Sequence, residues 1–164
     1  TDIAVFHLYP VTDDANARFS AISRTYEYRI ARIKNPFSDD FTWYYNGELQ
    51  VRLMNAGARM IMKYSDFTSF SKLHTQVATN NCKIIEAIWK EENDLLVFTI
   101  TADRFLRNMV RAIVGTLMDL GRQKLGLDDL KTIIESKDRS KAGMSVPAKG
   151  LFLVNVNYPD SIFI

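Results

Sequence analysis

The stretch RFLRNMVRAIVGTLMDLGR, residues 104–122, carries the clearest structural signal in this chain. Its apolar residues recur at intervals of three and four, which predicts a helix that packs on a core through one face. The stripe consists of Leu106, Met109, Val110, Ile113, Val114, Leu117 and Leu120. A fold with at least one well-buried helix is therefore expected.

The other side of this predicted helix collects polar residues and a glycine. Three guanidiniums on one side could meet a ladder of phosphates, because arginine keeps its charge and donates in a fixed fork. The glycine would let another backbone approach. A solvent-exposed helix face has the same spacing, and spacing by itself favours that simpler interpretation. The side consists of Arg107, Asn108, Arg111, Gly115 and Arg122.

Strands and two more helices are predicted on either side of this segment. Strands are expected where apolar and polar residues alternate, and the acidic run at 91–94 suits a hairpin between two of them. The last helix is expected to be capped near Asp128. Mixed element order predicts an α+β fold, with a mainly antiparallel sheet and helices packed on one face. The predicted strands span residues 3–9, 24–33, 83–90, 95–101 and 151–158, and the predicted helices span 49–64, 104–122 and 127–136.

Composition bounds the class of protein. With 164 residues, of which 47% are hydrophobic, the chain suits a single domain over residues 1–164. Its apolar stretches fall short of the roughly 20 residues that a membrane helix needs, and a single cysteine, Cys82, suits a reducing compartment. A soluble, cytoplasmic protein is expected. The net charge of +2 does not by itself indicate a nucleic-acid binder.

The chain begins Thr1-Asp2-Ile3, without methionine, and soon becomes apolar. This opening suggests a piece cut from a longer protein. A mature protein with a trimmed start is the alternative.

Basic and aromatic residues interleave over residues 17–30. Arg18, Arg24 and Arg29 alternate there with Phe19, Tyr26 and Tyr28. Aromatic faces stack on unpaired bases while arginines hold the backbone, so the run could bind single-stranded or extruded nucleotides. A core strand with buried tyrosines would have the same pattern, and the residues alone do not decide between the two.

Other kinds of site find little support. His7 and His74 have no partner at metal-ligand spacing, so structural or surface roles are expected for both, and no metal site is predicted. The sequence contains no Ser/His/Asp arrangement, phosphate-binding glycine loop or zinc pattern.

Taken together, several segments resemble the TruA family of tRNA pseudouridine synthases. Their order and spacing also match, and the resemblance spans nearly the whole chain. The segments are ARFSA at 17–21 with RTYEY at 24–28, DFTSF at 66–70, FLRNMVRAIVG at 105–115 and PAKGLFLV at 147–154.

The resemblance implies the pseudouridine synthase fold, here its C-terminal half, and isomerisation of uridine to pseudouridine in the anticodon stem-loop of tRNA. It also implies a homodimer in the full-length enzyme, and neither a metal nor an organic cofactor. The family's catalytic aspartate lies in an Arg-Thr-Asp-Ala-Gly run that nothing here matches; Asp103 is followed by Arg104. The chain alone is therefore expected to be inactive.

The resemblance also implies roles for individual residues. Tyr26 would pack on the target base, and Arg111 would be the basic partner of the absent aspartate. Leu151 and Leu153 would line the pocket floor. Weaker inferences assign contacts with the RNA backbone to Arg18, Arg24, Arg107 and Lys149.

Two departures from the family pattern accompany these roles. The segment before the hairpin has Lys83 but no arginine, so no RNA contact is assigned there. Arg107 and Asn108 stand where relatives commonly have histidines or similar polar groups, which leaves the pocket interpretation intact.

Two other functions remain open from the residues. A non-catalytic RNA-binding module could use the same tyrosines for stacking, and an upstream Arg-Thr-Asp-Ala-Gly run would favour the enzyme over it. A dimerisation domain without an RNA role is the third interpretation. Salt-dependent tRNA binding would speak against the third, because competing counterions weaken phosphate contacts.

Overall fold

The computed structural model describes residues 2–72 and 79–164, so the prediction for His74 lies outside the described residues. Three α-helices accompany five strands in this part of the chain. The strands are β1 (Ser23–Ala31), β2 (Trp43–Tyr44), β3 (Ile84–Glu92), β4 (Leu95–Ala102) and β5 (Leu151–Asn157). The helices are α1 (Val51–Ile61), α2 (Met109–Gly121) and α3 (Leu127–Ser136).

The strands form one sheet with β1 near its centre. β1 pairs antiparallel with β4, and β4 pairs antiparallel with β3. The other edge of β1 is shared, because β5 covers its first part in antiparallel register and the short β2 covers Ile30–Ala31 in parallel register. The expected mainly antiparallel α+β fold is confirmed.

The helices lie against one face of this sheet, as the sequence predicts. Tyr28 and Ile30 of β1, with Phe98 and Ile100 of β4, are fully buried on that face. They join the buried residues of all three helices in one core. Alternation along β1 and β4 leaves threonines and charged residues on the opposite face.

Helix α2 is buried more completely than the sequence predicts. Among its residues, only Arg111 and Asp119 are not buried. The side of α2 that the sequence predicts to be polar is covered by residues 142–147. A Cβ on Gly115 would collide with the carbonyl oxygen of Met144 in this covering segment. The close backbone approach expected at Gly115 is therefore present. The predicted row of three guanidiniums on an open face is wrong.

The start of α2 also differs from its predicted start. The helix begins at Met109, since Asn108 has a left-handed backbone with φ of 69°. Arg107 consequently lies in the turn before the helix, and its side chain is not on the same helical row as that of Arg111.

Other boundaries shift for local reasons. α3 matches its prediction, but Asp129 rather than Asp128 caps it by accepting a hydrogen bond of 2.8 Å from the backbone nitrogen of Gly126. The β3–β4 turn tightens to Asn93 and Asp94, where Asn93 adopts a φ of 53°. α1 is shorter at both ends than the span 49–64.

Residues 3–9 do not form the predicted strand. They have no regular secondary structure, and Phe6 and Leu8 are 85% and 90% exposed. Alternating residues make a strand only where a neighbouring backbone supplies hydrogen bonds, and no described strand pairs with them.

Cys82 is buried just before β3, and its backbone nitrogen donates to the carbonyl of Ser65 at 2.8 Å. Burial raises the pKa of its thiol to about 11. Among residues 2–72 and 79–164, no helix has both the length and the hydrophobicity to cross a membrane.

Candidate functional site

A cavity of about 340 Å³ opens where β1, the start of β5 and the N-terminal end of α2 meet. Five of the residues to which the family resemblance gives a role line it together with Phe105. They are Arg18, Tyr26, Arg107, Arg111 and Leu151. Residues far apart in the chain thus share one hollow.

Tyr26 lies on β1, on the same face as the buried Tyr28, but it is only partly buried. Its ring meets that of Phe105 edge to face, with centroids 5.1 Å apart and planes at 87°. Such aromatic pairs have defined geometry, so Phe105 fixes the orientation of the tyrosine ring in the cavity wall.

Arg111 lies in the first turn of α2 and is bound to the loop that covers the helix. Its Nε donates to the carbonyl of Val146 at 2.6 Å, and the backbone nitrogen of Val146 donates back to the Arg111 carbonyl at 3.2 Å. Within the described part of the chain, its two terminal amino groups have no hydrogen-bond partner. They are available to an anion in the cavity.

We call residues 142–147, which cover α2, the strap. Arg139 donates to the carbonyls of Ala142 and Gly143 at 3.3 and 3.2 Å. Arg139 also donates to the hydroxyl of Ser145 at 2.9 Å, and the side-chain amide of Asn108 donates to the same hydroxyl at 2.5 Å. The strap that anchors Arg111 is thus held at several points.

Tyr28 secures the end of the strap from the sheet side. Its hydroxyl donates to the carbonyl of Pro147 at 2.8 Å. Burial raises the pKa of this phenol strongly, an effect that the nearby Arg111 charge partly opposes. The hydroxyl therefore stays protonated at physiological pH and keeps its donor role. Gly150 sits close to both the Tyr28 ring and the Arg29 carbonyl, where a Cβ would crowd them.

The guanidinium of Arg24 forms hydrogen bonds within the protein. One terminal nitrogen donates to the carbonyls of Ala21 and Asp103 at 3.0 and 2.8 Å, and the other donates to the carbonyl of Arg18. The side chain thus joins three backbone segments. Its predicted contact with RNA stays a prediction, and most of its donors are already occupied.

Arg24 does not line this cavity, and neither do two other residues with predicted roles. Lys149 forms an ion pair of 2.9 Å with Asp39. Leu153 lies opposite Tyr26 in the sheet but is 52% exposed and is not among the residues that line the hollow.

Sequence reasoning missed Phe105, although it lies within the quoted motif at 105–115. It also missed the strap, whose contacts with α2 join residues distant in sequence. A second cavity of about 510 Å³ shares Arg18, Tyr26 and Phe105 with the first. In the described ranges, no group of three or more His, Cys, Asp or Glu residues could hold a metal ion.

Comparison with known proteins gives consistent matches. A family model described as tRNA pseudouridine synthase matches residues 64–159. The chain is 54% identical over 162 residues, 99% of its length, to tRNA pseudouridine synthase A of Parabacteroides distasonis, of which it covers 64%. It is 39% identical over 161 residues to the Bacillus subtilis protein of the same name, covering 97% of this chain and 65% of that protein. The chain spans just under two thirds of the length of these relatives.

Proposed function

Because this chain belongs to the tRNA pseudouridine synthase family, we propose that it carries the base-binding and arginine side of an active site that converts uridine to pseudouridine in tRNA. The observation that carries the proposal is the cavity that Tyr26 and Arg111 line together. Had the two side chains lain on separate surfaces, the family's motifs would not have made a site here.

The first requirement of the reaction is access to the glycosidic bond of the target uridine. The nucleotide must leave the base stack, which costs a few kcal/mol. An aromatic ring that stacks on the extruded base offsets part of that cost. Tyr26, oriented by Phe105 at the cavity wall, is suited to this role.

The second requirement is an ionised carboxylate beside the uridine. Arg111 suits a carboxylate partner because its Nε is held by Val146 while its terminal nitrogens remain free among the described residues. A guanidinium beside a carboxylate lowers its pKa and keeps it ionised and oriented for attack. No Arg-Thr-Asp-Ala-Gly run occurs in residues 1–164. The proposal therefore assigns the nucleophile to a segment beyond these residues.

Finer parts of the proposal rest on the family resemblance. We propose that the modified region is the anticodon stem-loop of tRNA. We also propose that the full-length enzyme works as a homodimer and is located in the cytoplasm. The single domain over residues 1–164 also stays a prediction. Arg18 and Arg107, which line the cavity, are proposed to contact the RNA backbone; for Arg24 and Lys149 the same role has less support, because each already has a partner.

The test compares two proteins on one substrate. The 164-residue chain and a full-length protein with the Arg-Thr-Asp-Ala-Gly run are incubated with unmodified tRNA, and pseudouridine is quantified by mass spectrometry. Product is expected with the full-length protein only. Activity of the chain alone would overturn the assignment of the nucleophile. A full-length protein that binds tRNA without forming product would favour a non-catalytic RNA-binding module.

A further inference from the structure

The second cavity, beside the one lined by Tyr26 and Arg111, has a use that the proposed reaction does not require. We propose that it binds a nucleotide next to the target uridine in the RNA chain, with the base against Phe19 and the phosphate near Arg18 and Arg104. The inference rests on the proposed function, because it takes the first cavity as the site of the target base.

The two cavities lie side by side. Arg18, Tyr26 and Phe105 line both, so the pair of rings that orients the target base also forms a shared wall. With about 510 Å³, the second cavity lies in the range of small-molecule sites. An RNA strand whose uridine enters the first cavity would bring a neighbouring nucleotide to the second.

The charges that remain free in this cavity favour a phosphate. Arg24 lines it, but most of its donors are occupied by the backbone carbonyls of Arg18, Ala21 and Asp103. One oxygen of the Asp103 carboxylate, Oδ1, accepts from the backbone nitrogens of Lys83 and Arg104 at 2.8 and 2.7 Å, and its single negative charge is outnumbered by the arginines Arg18, Arg24 and Arg104 of the same cavity. In residues 2–72 and 79–164, the guanidiniums of Arg18 and Arg104 have neither an ion pair nor a hydrogen bond.

Phe19 offers an exposed ring on a well-ordered turn. The ring is 77% exposed, with the Arg18 guanidinium 5.2 Å from its centroid. The turn itself is held by Asn16, whose side-chain oxygen accepts from the backbone nitrogens of Arg18 and Phe19 at 2.9 and 3.0 Å. The hydroxyl of Tyr158 donates to the Ala17 carbonyl at 2.7 Å.

A preordered aromatic ring beside free guanidiniums is the arrangement with which proteins hold unpaired nucleotides. The ring loses little conformational freedom on binding, because its backbone is already fixed. Stacking tolerates every base, so this subsite would add affinity and hold the strand in register without selecting a sequence.

The experiment measures the affinity contributed by the second nucleotide as the difference between two ligands. Binding of uridine monophosphate and of the phosphorylated dinucleotide pUpU to the 164-residue chain is measured by NMR titration. Base stacking on an aromatic side chain contributes about 1–3 kcal/mol, so pUpU is expected to bind about 5- to 150-fold more tightly than the monophosphate. Phe19→Ala should remove most of that gain and Phe19→Tyr should restore it.

Matched variants separate this inference from the proposed function. Phe37→Ala removes a ring that is 96% exposed outside both cavities and should leave both affinities unchanged. Arg104→Gln should lower pUpU affinity and reduce the salt slope by about one. Tyr26→Ala should weaken both probes, and its effect on the monophosphate, which has no second nucleotide, tests the target-base cavity.

Two results would overturn the inference. One is pUpU binding no more tightly than the monophosphate, and the other is a gain that persists in Phe19→Ala. Either can occur while Tyr26→Ala still weakens the monophosphate, which leaves the proposed function standing. Failure of the wild-type chain to bind either probe would count against both.

Discussion

Arg111 and Arg122 lie at opposite ends of α2 and differ in every contact. Arg111, at the first turn, is held by the Val146 carbonyl and faces a cavity. Arg122, at the C-terminal cap, pairs with Asp119 at 3.2 Å and lies over the ring of Tyr45, with its Cζ 4.6 Å from the centroid. Among the described residues, both terminal nitrogens of Arg111 are thus free for a ligand, whereas Nε and one terminal nitrogen of Arg122 already donate to the protein.

The difference shows that the surroundings, and not helical spacing, decide what an arginine can do. Arg122 is also favoured by its position, because a cation near the C-terminal end of a helix meets the negative end of the helix dipole. Arg111 lies near the positive end, where its charge is unfavourable. A charge kept in an unfavourable position is consistent with a role toward a bound anion.

The largest expected effect comes from removing each guanidinium in the full-length protein. Arg111→Ala should lower single-turnover pseudouridine formation by on the order of 100- to 1000-fold, the usual loss when one electrostatic partner of the reacting groups is removed. Arg122→Ala should leave turnover close to wild type and cost about 1 kcal/mol of stability, from its ion pair and its contact with Tyr45.

Equal losses of turnover in both variants would break the comparison, since they would point to helix stability as the common cause. Circular dichroism and urea unfolding of each variant provide the control. An Arg111→Ala protein that is folded and fully active would remove Arg111 from the site.

The next effect concerns the two glycines of the same helix. Gly115→Ala would force a Cβ into the Met144 carbonyl and should cost about 3 kcal/mol, because backbone in the strap cannot turn aside as a side chain can. Gly121→Ala would meet the Sδ and Cγ of Met54 at 2.5 and 2.7 Å, atoms of a flexible side chain that can shift more easily than backbone. Its cost should be offset by the roughly 1 kcal/mol that alanine gains over glycine in a helix.

Urea unfolding measures both variants. The displaced strap should also disturb the Val146 carbonyl that holds Arg111, so Gly115→Ala in the full-length protein should lose turnover as well. A Gly115→Ala protein with wild-type stability and activity would show that the strap does not position Arg111.

The smallest effect comes from an ion pair away from both ends of α2. Lys137 lies 2.8 Å from Asp66, and that contact, followed by the hydrogen bond from Thr68, lowers the pKa of the Asp66 carboxyl. A lowered folded-state pKa stabilises the protein above the ordinary aspartate value of about 3.9, and this stabilisation is lost as the pH falls through the folded value.

Wild type should therefore exceed Asp66→Asn in thermal stability at neutral pH, and the gap should close below about pH 4. Lys131→Gln, which changes an exposed lysine of α3 outside this pair, is the control for the loss of charge. A gap that stays constant with pH would mean that the Asp66 charge contributes nothing and that the effect comes from the hydrogen bonds.

Sequence patterns predicted much of the fold because local periodicity carries it. The apolar stripe at 106–120 located α2, and α3 was predicted at its observed residues. Gly115 indicated that another backbone could approach, but the pattern could not reveal that the strap covers the other side of α2, because the strap is distant from the helix start in sequence. Residues 3–9 show the opposite failure, since the alternation there predicts a strand but no strand among the described residues pairs with it.

The features of the site also divide into those that the sequence could predict and those that it could not. Tyr26, Arg111 and Leu151 were placed together through motifs, and they line one cavity. The occupation of Arg24 by backbone carbonyls could not be predicted, because it depends on loops brought together only in the folded chain. Phe105 has no distinguishing local pattern, and its contact with Tyr26 exists only in three dimensions.

Labelling of the Cys82 thiol can report local opening of the folded chain. The thiol is buried and, with a pKa of about 11, almost wholly protonated near neutrality, so a thiol reagent must wait for the segment before β3 to separate from Ser65. The labelling rate then follows the frequency of that local opening. Because the chain has no second cysteine, each modified molecule records one event at one known place.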